Sequence, residues 1–296
     1  MKPAPFEYLE AKSLDEALQA LASNEDSKAL AGGQSLVPLL NFRLARPALL
    51  VDLNALGELA YLRREDGKLR IGAMTRQAVL ERSTLTARHW PLLHKAIAYV
   101  AHSQIRNRGT VGGSVAHADP AAELPVALTT LDARFRARSP RGERWIDARE
   151  FFVNQLTSSL EVDELLVEIE VPPPADRSGS SFVEFARRHG DFALGGCAVQ
   201  LSLDGDGAVS SAALTLLGAA PTPLRADAAE EFLRAQSIDT GVAAKAADIA
   251  VEGVHPTGDI HGSSEYRREL TRSLVRRAIL AAAEEARDQA SKGATA

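Results

Sequence analysis

Two short stretches of small residues constrain the fold of this 296-residue chain more than any other feature. They are Ala31-Gly32-Gly33-Gln34-Ser35 and Thr110-Val111-Gly112-Gly113-Ser114. Glycine has no Cβ, so its backbone N–H group can approach a ligand that a side chain would hold away. Consecutive backbone N–H groups in a turn form a concavity that binds anions. We therefore expect two glycine turns, which together suit a ligand with two linked phosphates.

Charged residues surround the second stretch and support this interpretation. Arg106 and Arg108 precede it, and Asp119 and Glu123 follow it. Paired glycines are also common in ordinary turns, so one stretch alone does not require a ligand. Neither stretch fits G-x-G-x-x-G before a helix, and the pattern G-x-x-x-x-G-K-[ST] does not occur in the chain. The sequence therefore disfavours Rossmann-type dinucleotide binding and P-loop hydrolysis.

The composition is that of an ordinary globular protein, with 45% apolar and 25% charged residues. The length allows two or three domains. A net charge of −5 and only 5% aromatic residues argue against a nucleic-acid partner. No apolar run approaches the roughly 18 residues that span a bilayer. The first residues lack the apolar core of a secretory signal, so we expect a cytoplasmic protein without a membrane span.

A single cysteine, Cys197, excludes an intrachain disulfide, a four-cysteine zinc site and an iron–sulfur cluster in this chain. Small apolar neighbours predict that Cys197 is buried, although a reactive thiol is the alternative. No group of His, Cys, Asp and Glu has the spacing of metal ligands. We therefore expect no metal in this chain.

Hydrophobic periodicity predicts alternating helices and strands along the first part of the chain. Ser13 and Glu16 form a capping-box pattern before an amphipathic helix. In residues 133–138, arginines alternate with apolar residues, which indicates a solvated strand face more readily than a phosphate site. Strands are predicted at 28–31, 48–53, 68–73, 133–138 and 165–171, and helices at 76–82, 92–100 and 124–131.

The clearest linker in the sequence is 171–180, where three prolines precede glycine and serine. Beyond it, strands are predicted at 182–187, 197–203 and 209–217, followed by helices at 226–235, 242–251 and 265–290. We therefore divide the chain into an N-terminal subdomain (1–55), a central subdomain (56–175) and a C-terminal domain (176–290).

The stretches AGGQSLVPLLNFRLARPALLVDL and QIRNRGTVGGSVAHADPAAELP resemble the FAD-binding medium subunits of the molybdenum hydroxylases. That family includes the carbon monoxide dehydrogenase medium chain and the flavin domain of xanthine dehydrogenase. The resemblance covers nearly the whole chain. It implies an α+β fold: a two-part FAD-binding domain of the PCMH/vanillyl-alcohol-oxidase type, followed by a C-terminal domain with a three-stranded antiparallel sheet and helices.

The resemblance also implies which residues hold FAD. Both glycine stretches match the family's pyrophosphate loops, and Phe192 matches an aromatic residue that lies against the flavin ring. Gln34 and Ser114 depart from the family pattern, since many relatives have His and Asn at these positions. His102 and His117 could donate to the cofactor or fill a pocket wall, and Asp119 and Glu123 could serve as helix N-terminal carboxylates instead. The predicted cofactor-binding residues are Ala31, Gly32, Gly33, Gln34, Ser35, Leu36, His102, Ile105, Thr110, Val111, Gly112, Gly113, Ser114, His117, Asp119, Glu123 and Phe192.

By resemblance, the chain is an electron-transfer subunit with no catalytic acid or base of its own, because the flavin supplies the redox chemistry. Its implied partners are a small subunit with [2Fe–2S] clusters and a large subunit with molybdopterin, assembled as a dimer of heterotrimers, or heterohexamer. A stand-alone FAD-dependent oxidoreductase and a flavin-free structural subunit are the alternatives.

Overall fold

The computed structural model describes residues 2–293 of the chain. Its helices are α1 Leu14–Ser23, α2 Leu36–Asn41, α3 Gln77–Arg82, α4 Thr84–His89, α5 Pro91–Ile97, α6 Ser103–Arg108, α7 Val111–His117, α8 Glu123–Thr130, α9 Ala148–Phe151, α10 Asp227–Leu233, α11 Thr240–Ala250 and α12 Ser264–Gly293. Its strands are β1 Glu7–Glu10, β2 Ser27–Leu30, β3 Leu49–Asp52, β4 Leu62–Glu65, β5 Lys68–Gly72, β6 Arg134–Ser139, β7 Gly142–Asp147, β8 Phe152–Asn154, β9 Thr157–Ser158, β10 Leu165–Val171, β11 Ser178–Phe185, β12 Gly195–Leu203, β13 Val209–Leu217 and β14 Leu224–Arg225.

The contacts divide the chain into two compact units. Among the described residues, the first unit contains 2–82 together with His102–Ala118 and Ala133–Val171. The second contains Ser83–Ala101, Asp119–Asp132 and residues 172–293. Each unit therefore collects segments that are separated in the sequence.

In the first unit, a small parallel sheet has the strand order β1-β3-β2. Helix α1 packs on it through Leu18 and Leu21, which are almost fully buried. The predicted cap is present, because the Oγ of Ser13 accepts a hydrogen bond from the Glu16 backbone N–H at 3.2 Å. A parallel sheet brings the carboxyl ends of its strands to one edge, and the first glycine stretch begins directly after β2 at that edge.

A second sheet of the first unit has the order β4-β5-β10-β6-β7, and each neighbouring pair is antiparallel. The alternation in β6 buries Phe135 and Ala137 completely. The arginines of β6 face carboxylates: Arg136 lies 3.6 Å from Glu168 of β10. The predicted arginine stripe is thus held in ion pairs across the sheet, which gives it a structural role.

The second unit is built on an antiparallel sheet with the order β11-β12-β13-β14. Strand β13 has the predicted bounds, and β12 begins two residues before the predicted 197–203. Strand β11 overlaps the predicted 182–187 but begins and ends earlier, and the two-residue strand β14 adds a fourth that was not predicted. Strand β11 begins at Ser178, so the last part of the predicted linker is strand. Helices α10, α11 and α12 supply the rest of the core, in which Cys197 is fully buried. Burial also raises the pKa of the Cys197 thiol, so the predicted buried cysteine is confirmed and an inert thiol follows.

Among the described residues, no helix is long and apolar enough to cross a membrane. The same part of the chain holds no cluster of three or more His, Cys, Asp and Glu side chains that could bind a metal ion.

A substitution at Gly179 of β11 measures how tightly the sheet and α12 pack in the second unit. A Cβ on Gly179 would lie 3.0 Å from the Cα of Ala286 and still closer to the Ala282 carbonyl oxygen. We expect Gly179→Ala to lower the free energy of unfolding by about 1–3 kcal/mol, as overpacking does. The matched control is Gly205→Ala in the turn after β12, where a Cβ would meet nothing within 4 Å. Urea unfolding of both variants measures the difference, and equal midpoints would contradict the expectation.

Candidate functional site

The first glycine stretch connects β2 to α2 as a loop with free donors. Gly33 has a φ of 73°, a left-handed conformation that favours glycine. The loop is closed by a 3.0 Å hydrogen bond from the Gln34 side-chain amide to the Gly32 carbonyl. Within residues 2–293, the backbone N–H groups of Gly32, Gly33, Gln34 and Ser35 have no acceptor. Four consecutive donors are therefore available to a ligand.

The second stretch differs from the sequence prediction. Gly112 and Gly113 lie in the first turn of helix α7, so the expected glycine turn is wrong. The Oγ1 of Thr110 caps this helix by accepting a hydrogen bond from the Gly113 N–H at 3.1 Å. The Gly112 N–H donates to the Ala73 carbonyl at 2.9 Å. These amides are already used within the chain, so this stretch does not offer the same donors as the first.

The glycines of the second stretch serve close packing instead. A Cβ on Gly112 would lie 2.5 Å from the Cβ of Ala73 and 2.7 Å from its carbonyl oxygen. Real Cβ atoms essentially never come that close. Gly112 is therefore needed for α7 to lie against the end of β5.

The structure brings the two stretches into contact. A Cβ on Gly32 would lie 2.6 Å from the Cα of Gly109 and even closer to the Arg108 carbonyl oxygen. A Cβ on Gly113 would lie 3.4 Å from the Cβ of Ala31. The first loop thus rests directly on the backbone that leads into the second stretch.

A polar clamp, formed by Asn54 and Arg76, ties the two stretches together. The Nδ2 of Asn54 donates to the Ala31 carbonyl at 2.9 Å. Arg76 donates to the Oδ1 of Asn54 at 2.6 Å and, through its other terminal nitrogen, to the Arg108 carbonyl. Burial, followed by the nearby Arg108 charge, lowers the pKa of Arg76 from its ordinary value. Sequence reasoning missed both clamp residues, although Asn54 follows the carboxyl end of a parallel strand, where ligands of α/β sheets commonly bind.

The first loop lines a cavity of about 470 Å³. Five predicted residues line it, namely Ala31, Gly32, Gly33, Gln34 and Ile105. Residues that were not predicted complete the wall: Leu30, Val37, Pro38, Asn41, Asp52, Asn54 and Arg108. Ser35, Leu36 and residues 110–114 are not part of this wall. A volume of this size suits a small-molecule site, since such sites measure about 300–1,000 Å³.

Asp52 supplies a carboxylate in the cavity wall. Its burial by itself would raise the pKa, but hydrogen bonds from Tyr8 and from Asn54, together with the Arg108 charge, outweigh burial and lower it. The Tyr8 hydroxyl donates to Asp52 at 2.6 Å, and this hydrogen bond to the carboxylate is the main cause that raises the pKa of Tyr8 to about 12. Asp52 is thus ionised at neutral pH and oriented by two neighbours.

The remaining predicted residues lie in several elements. His102 is the exposed residue before α6, and His117 ends α7 in the same unit. Three others belong to the second compact unit. There Asp119 accepts a hydrogen bond from the Ala121 N–H at 2.8 Å, Glu123 begins α8, and Phe192 is 74% exposed between β11 and β12.

Glu184 of β11 is a buried carboxyl group that sequence reasoning missed. One of its oxygens, Oε2, is buried and has no hydrogen-bond partner in the described chain. Burial, and after it the negative charge of Glu123, raise the pKa of Glu184 to about 8. Glu184 is therefore protonated in much of the neutral range, beside a carboxylate that was predicted to face the cofactor.

The raised pKa of Glu184 predicts that the stability of the fold depends on pH. Because its pKa is raised in the folded state, folding binds protons, and stability falls as pH rises between the ordinary value near 4.5 and about 8. We expect Glu184→Gln to be more stable than the natural chain at pH 9 by about 1–3 kcal/mol, since the amide carries no charge to bury. At pH 4 the difference should vanish.

Urea unfolding at pH 4 and pH 9 measures this effect. The control is Glu252→Gln, which replaces an exposed carboxylate in the same unit. A difference between Glu184→Gln and the natural chain that does not change with pH would contradict the expectation.

Residues 4–174 match a family described as the FAD binding domain in molybdopterin dehydrogenase, and residues 180–282 match the CO dehydrogenase flavoprotein C-terminal domain. The 6-hydroxypseudooxynicotine dehydrogenase complex subunit alpha of Paenarthrobacter nicotinovorans is 47% identical over 97% of each chain. The caffeine dehydrogenase subunit beta of Pseudomonas sp. strain CBB1 is 40% identical over 96% of this chain and 97% of that protein.

Two solved structures have the same fold over nearly the whole chain. Quinoline 2-oxidoreductase from Pseudomonas putida 86 matches with a TM-score of 0.93 and 41% identity, over 97% of this chain and 99% of that one. Carbon monoxide dehydrogenase from Hydrogenophaga pseudoflava matches with a TM-score of 0.94 and 38% identity, over 96% and 99% of the respective chains.

These matches define an FAD-binding flavoprotein with a distinct C-terminal domain, as the resemblance predicted. The chain belongs to the family of FAD-binding medium subunits of the molybdenum hydroxylases, which are oxidoreductases. The predicted α+β fold class and the predicted cofactor, FAD, are thereby confirmed.

Proposed function

We propose that this chain holds FAD and relays electrons from [2Fe–2S] clusters of a partner chain to an external acceptor. The single observation that carries the proposal is the first loop. Its four consecutive backbone N–H groups find no acceptor within residues 2–293, and the loop lines a cavity of about 470 Å³. Backbone donors in such a loop are suited to an anion such as a diphosphate. FAD, when bound, supplies the redox chemistry, and the chain supplies placement and electrostatics.

The charges in the cavity wall indicate how the cofactor is oriented. Arg108 forms no ion pair within residues 2–293 and adds a positive charge near the first loop. Asp52 would repel a phosphate placed against it, so the phosphates belong at the Gly32–Ser35 end. An ionised carboxylate accepts hydrogen bonds from hydroxyl groups, so we assign Asp52 to a hydroxyl of the cofactor.

The second stretch supports the first one in this proposal. Thr110 and Gly112 hold α7 in place, which fixes the surface on which Gly32 rests. The Ser114 hydroxyl has no partner within the described residues and can donate to the cofactor. We retain contacts from the other residues named by resemblance as part of the proposal: Leu36, His102, Val111, Gly113, His117, Asp119, Glu123 and Phe192.

We further propose that the partners are a small subunit with [2Fe–2S] clusters and a large subunit with molybdopterin, in a cytoplasmic dimer of heterotrimers. Relatives named as a medium chain and as a subunit of a dehydrogenase complex support this. The division into 1–55, 56–175 and 176–290 remains our proposal for its domains.

Gly32 provides the sharpest test of the cofactor site. Gly32→Ala introduces a Cβ where the Arg108 and Gly109 backbone lies, so the loop must move. We expect FAD binding to weaken at least tenfold, about 1.4 kcal/mol, while the variant still folds. Gly57→Ala is the control, because a Cβ there would meet nothing within 4 Å. Flavin absorbance per purified chain and titration with FAD measure binding, and unchanged affinity in Gly32→Ala would refute the proposed loop.

The two alternatives are distinguished by the composition of the purified complex. An electron relay copurifies with molybdenum and iron, whereas a stand-alone flavin oxidoreductase contains neither. A flavin-free structural subunit has no flavin absorption band even when it is purified with its partner chains.

A further inference from the structure

Strand β11 of the second unit places Glu184 on the sheet face that α12 does not cover. Val183 packs into the core beneath α12, so its neighbours Phe182 and Glu184 point to the opposite face. On that face the ring of Phe182 contacts the ring of Tyr99, just after α5, with centroids 5.4 Å apart. Helix α5 packs on β11 there, and α8 packs on β12. Glu184 therefore lies on the face that these two helices cover.

The neighbouring strand gives the Glu184 carboxyl group no partner. The residue opposite Glu184 on β12 is Gly196. A Cβ on Gly196 would lie 2.9 Å from the Cβ of Glu184 and 2.7 Å from the Val183 carbonyl oxygen. Glycine is thus needed opposite Glu184, and it brings no side chain that could bond the carboxyl group.

Both carboxyl oxygens of Glu184 lack a hydrogen-bond partner within residues 2–293. Oε2 is buried, whereas Oε1 is not enclosed and the residue as a whole is only partly buried. Leaving a buried polar group without a partner is costly. A neutral carboxyl group avoids the larger cost of a buried charge and has one O–H to donate. Glu184 therefore carries a donor that no described residue accepts.

The charged and titratable groups around Glu184 favour its neutral form. Burial first, and the negative charge of Glu123 at the start of α8 second, raise the pKa of Glu184. Burial and then the Glu184 charge raise the pKa of Tyr99, whereas Arg277 of α12 lowers it. Arg277 makes no ion pair with Glu184 in the described chain, and Lys95 of α5 is already paired with a carboxylate of α12 at 2.7 Å. The carboxyl group thus has no cation to hold its charge.

We propose that Glu184 is a neutral carboxylic acid that donates a hydrogen bond to an acceptor atom of the bound cofactor, next to the contact of Glu123. This rests on the proposed function, which includes that contact. The two carboxyl groups then have opposite roles, because their surroundings separate their protonation states. Glu123 accepts hydrogen bonds from cofactor hydroxyls, and Glu184 donates through its O–H to a carbonyl oxygen or ring nitrogen of the flavin.

FAD titration of the full chain at pH 7 and pH 9 tests this role. The pKa of Glu184 is about 8, so its proton is largely present at pH 7 and largely lost at pH 9. If only the protonated form binds, the apparent affinity for FAD should fall about tenfold between these pH values. Binding at pH 8.5 should also take up a proton, which calorimetry in two buffers of different ionisation enthalpy measures.

Two variants of Glu184 separate the hydrogen bond from the charge. Glu184→Gln keeps a donor and cannot ionise, so it should bind FAD equally well at pH 7 and pH 9 and take up no proton. Glu184→Leu removes the donor and should bind FAD about fivefold more weakly at both pH values. The control is Glu252→Gln, an exposed carboxylate of the same unit, which should follow the natural chain. Circular dichroism at each pH confirms that the variants are folded.

The outcomes distinguish this role from the proposed function. An affinity of the natural chain that is equal at pH 7 and pH 9 would overturn the role of Glu184. A fall in affinity that Glu184→Gln shares with the natural chain would overturn it as well, since the titrating group would then lie elsewhere. A natural chain that takes up no FAD at pH 7, even with its partner chains, refutes the proposed function itself.

Discussion

The close approach of one loop backbone to another is the constraint on which this structure depends. Gly32 lies so near Arg108 and Gly109 that no Cβ can be accommodated. Because the space is filled by backbone, it cannot be recovered by moving a flexible side chain. Asn54 and Arg76 then secure the contact by hydrogen bonds to carbonyl groups on both sides. Tight packing orders the first loop, while its own N–H groups have no acceptor in the described part of the chain.

The two glycine stretches therefore have different roles despite their similar sequences. In the first, Gly33 adopts a left-handed conformation in a loop whose N–H groups find no acceptor among the described residues. In the second, Gly112 permits a helix to touch the end of β5. The free donors of the first loop are costly unless a ligand or water accepts their hydrogen bonds. The closely packed second stretch supports that loop. A rigid support reduces the conformational entropy that the loop would otherwise lose on binding.

Sequence reasoning reached much of the fold and part of the site. Alternation predicted β6 and β10 because one face of each strand is covered by apolar neighbours. The resemblance identified the family, which the matches confirmed. Asn54, Arg76 and Asp52 were missed because their importance arises from contacts with residues that are distant in sequence. Glu184 was missed for the same reason, since a carboxyl group becomes hard to ionise only through what surrounds it.

The sequence by itself determined where glycine is placed, the strongly alternating strands such as β6, β10 and β13, and to which family the chain belongs. Only the tertiary structure decided which backbone N–H groups remain free. A backbone N–H is satisfied only where an acceptor packs against it, as the Ala73 carbonyl does at Gly112. Such contacts join residues that are distant in sequence, so the local sequence does not reveal them. The tertiary structure likewise decided that Asp52 and Arg108 share one cavity, because chain folding alone brings segments more than fifty residues apart to the same wall.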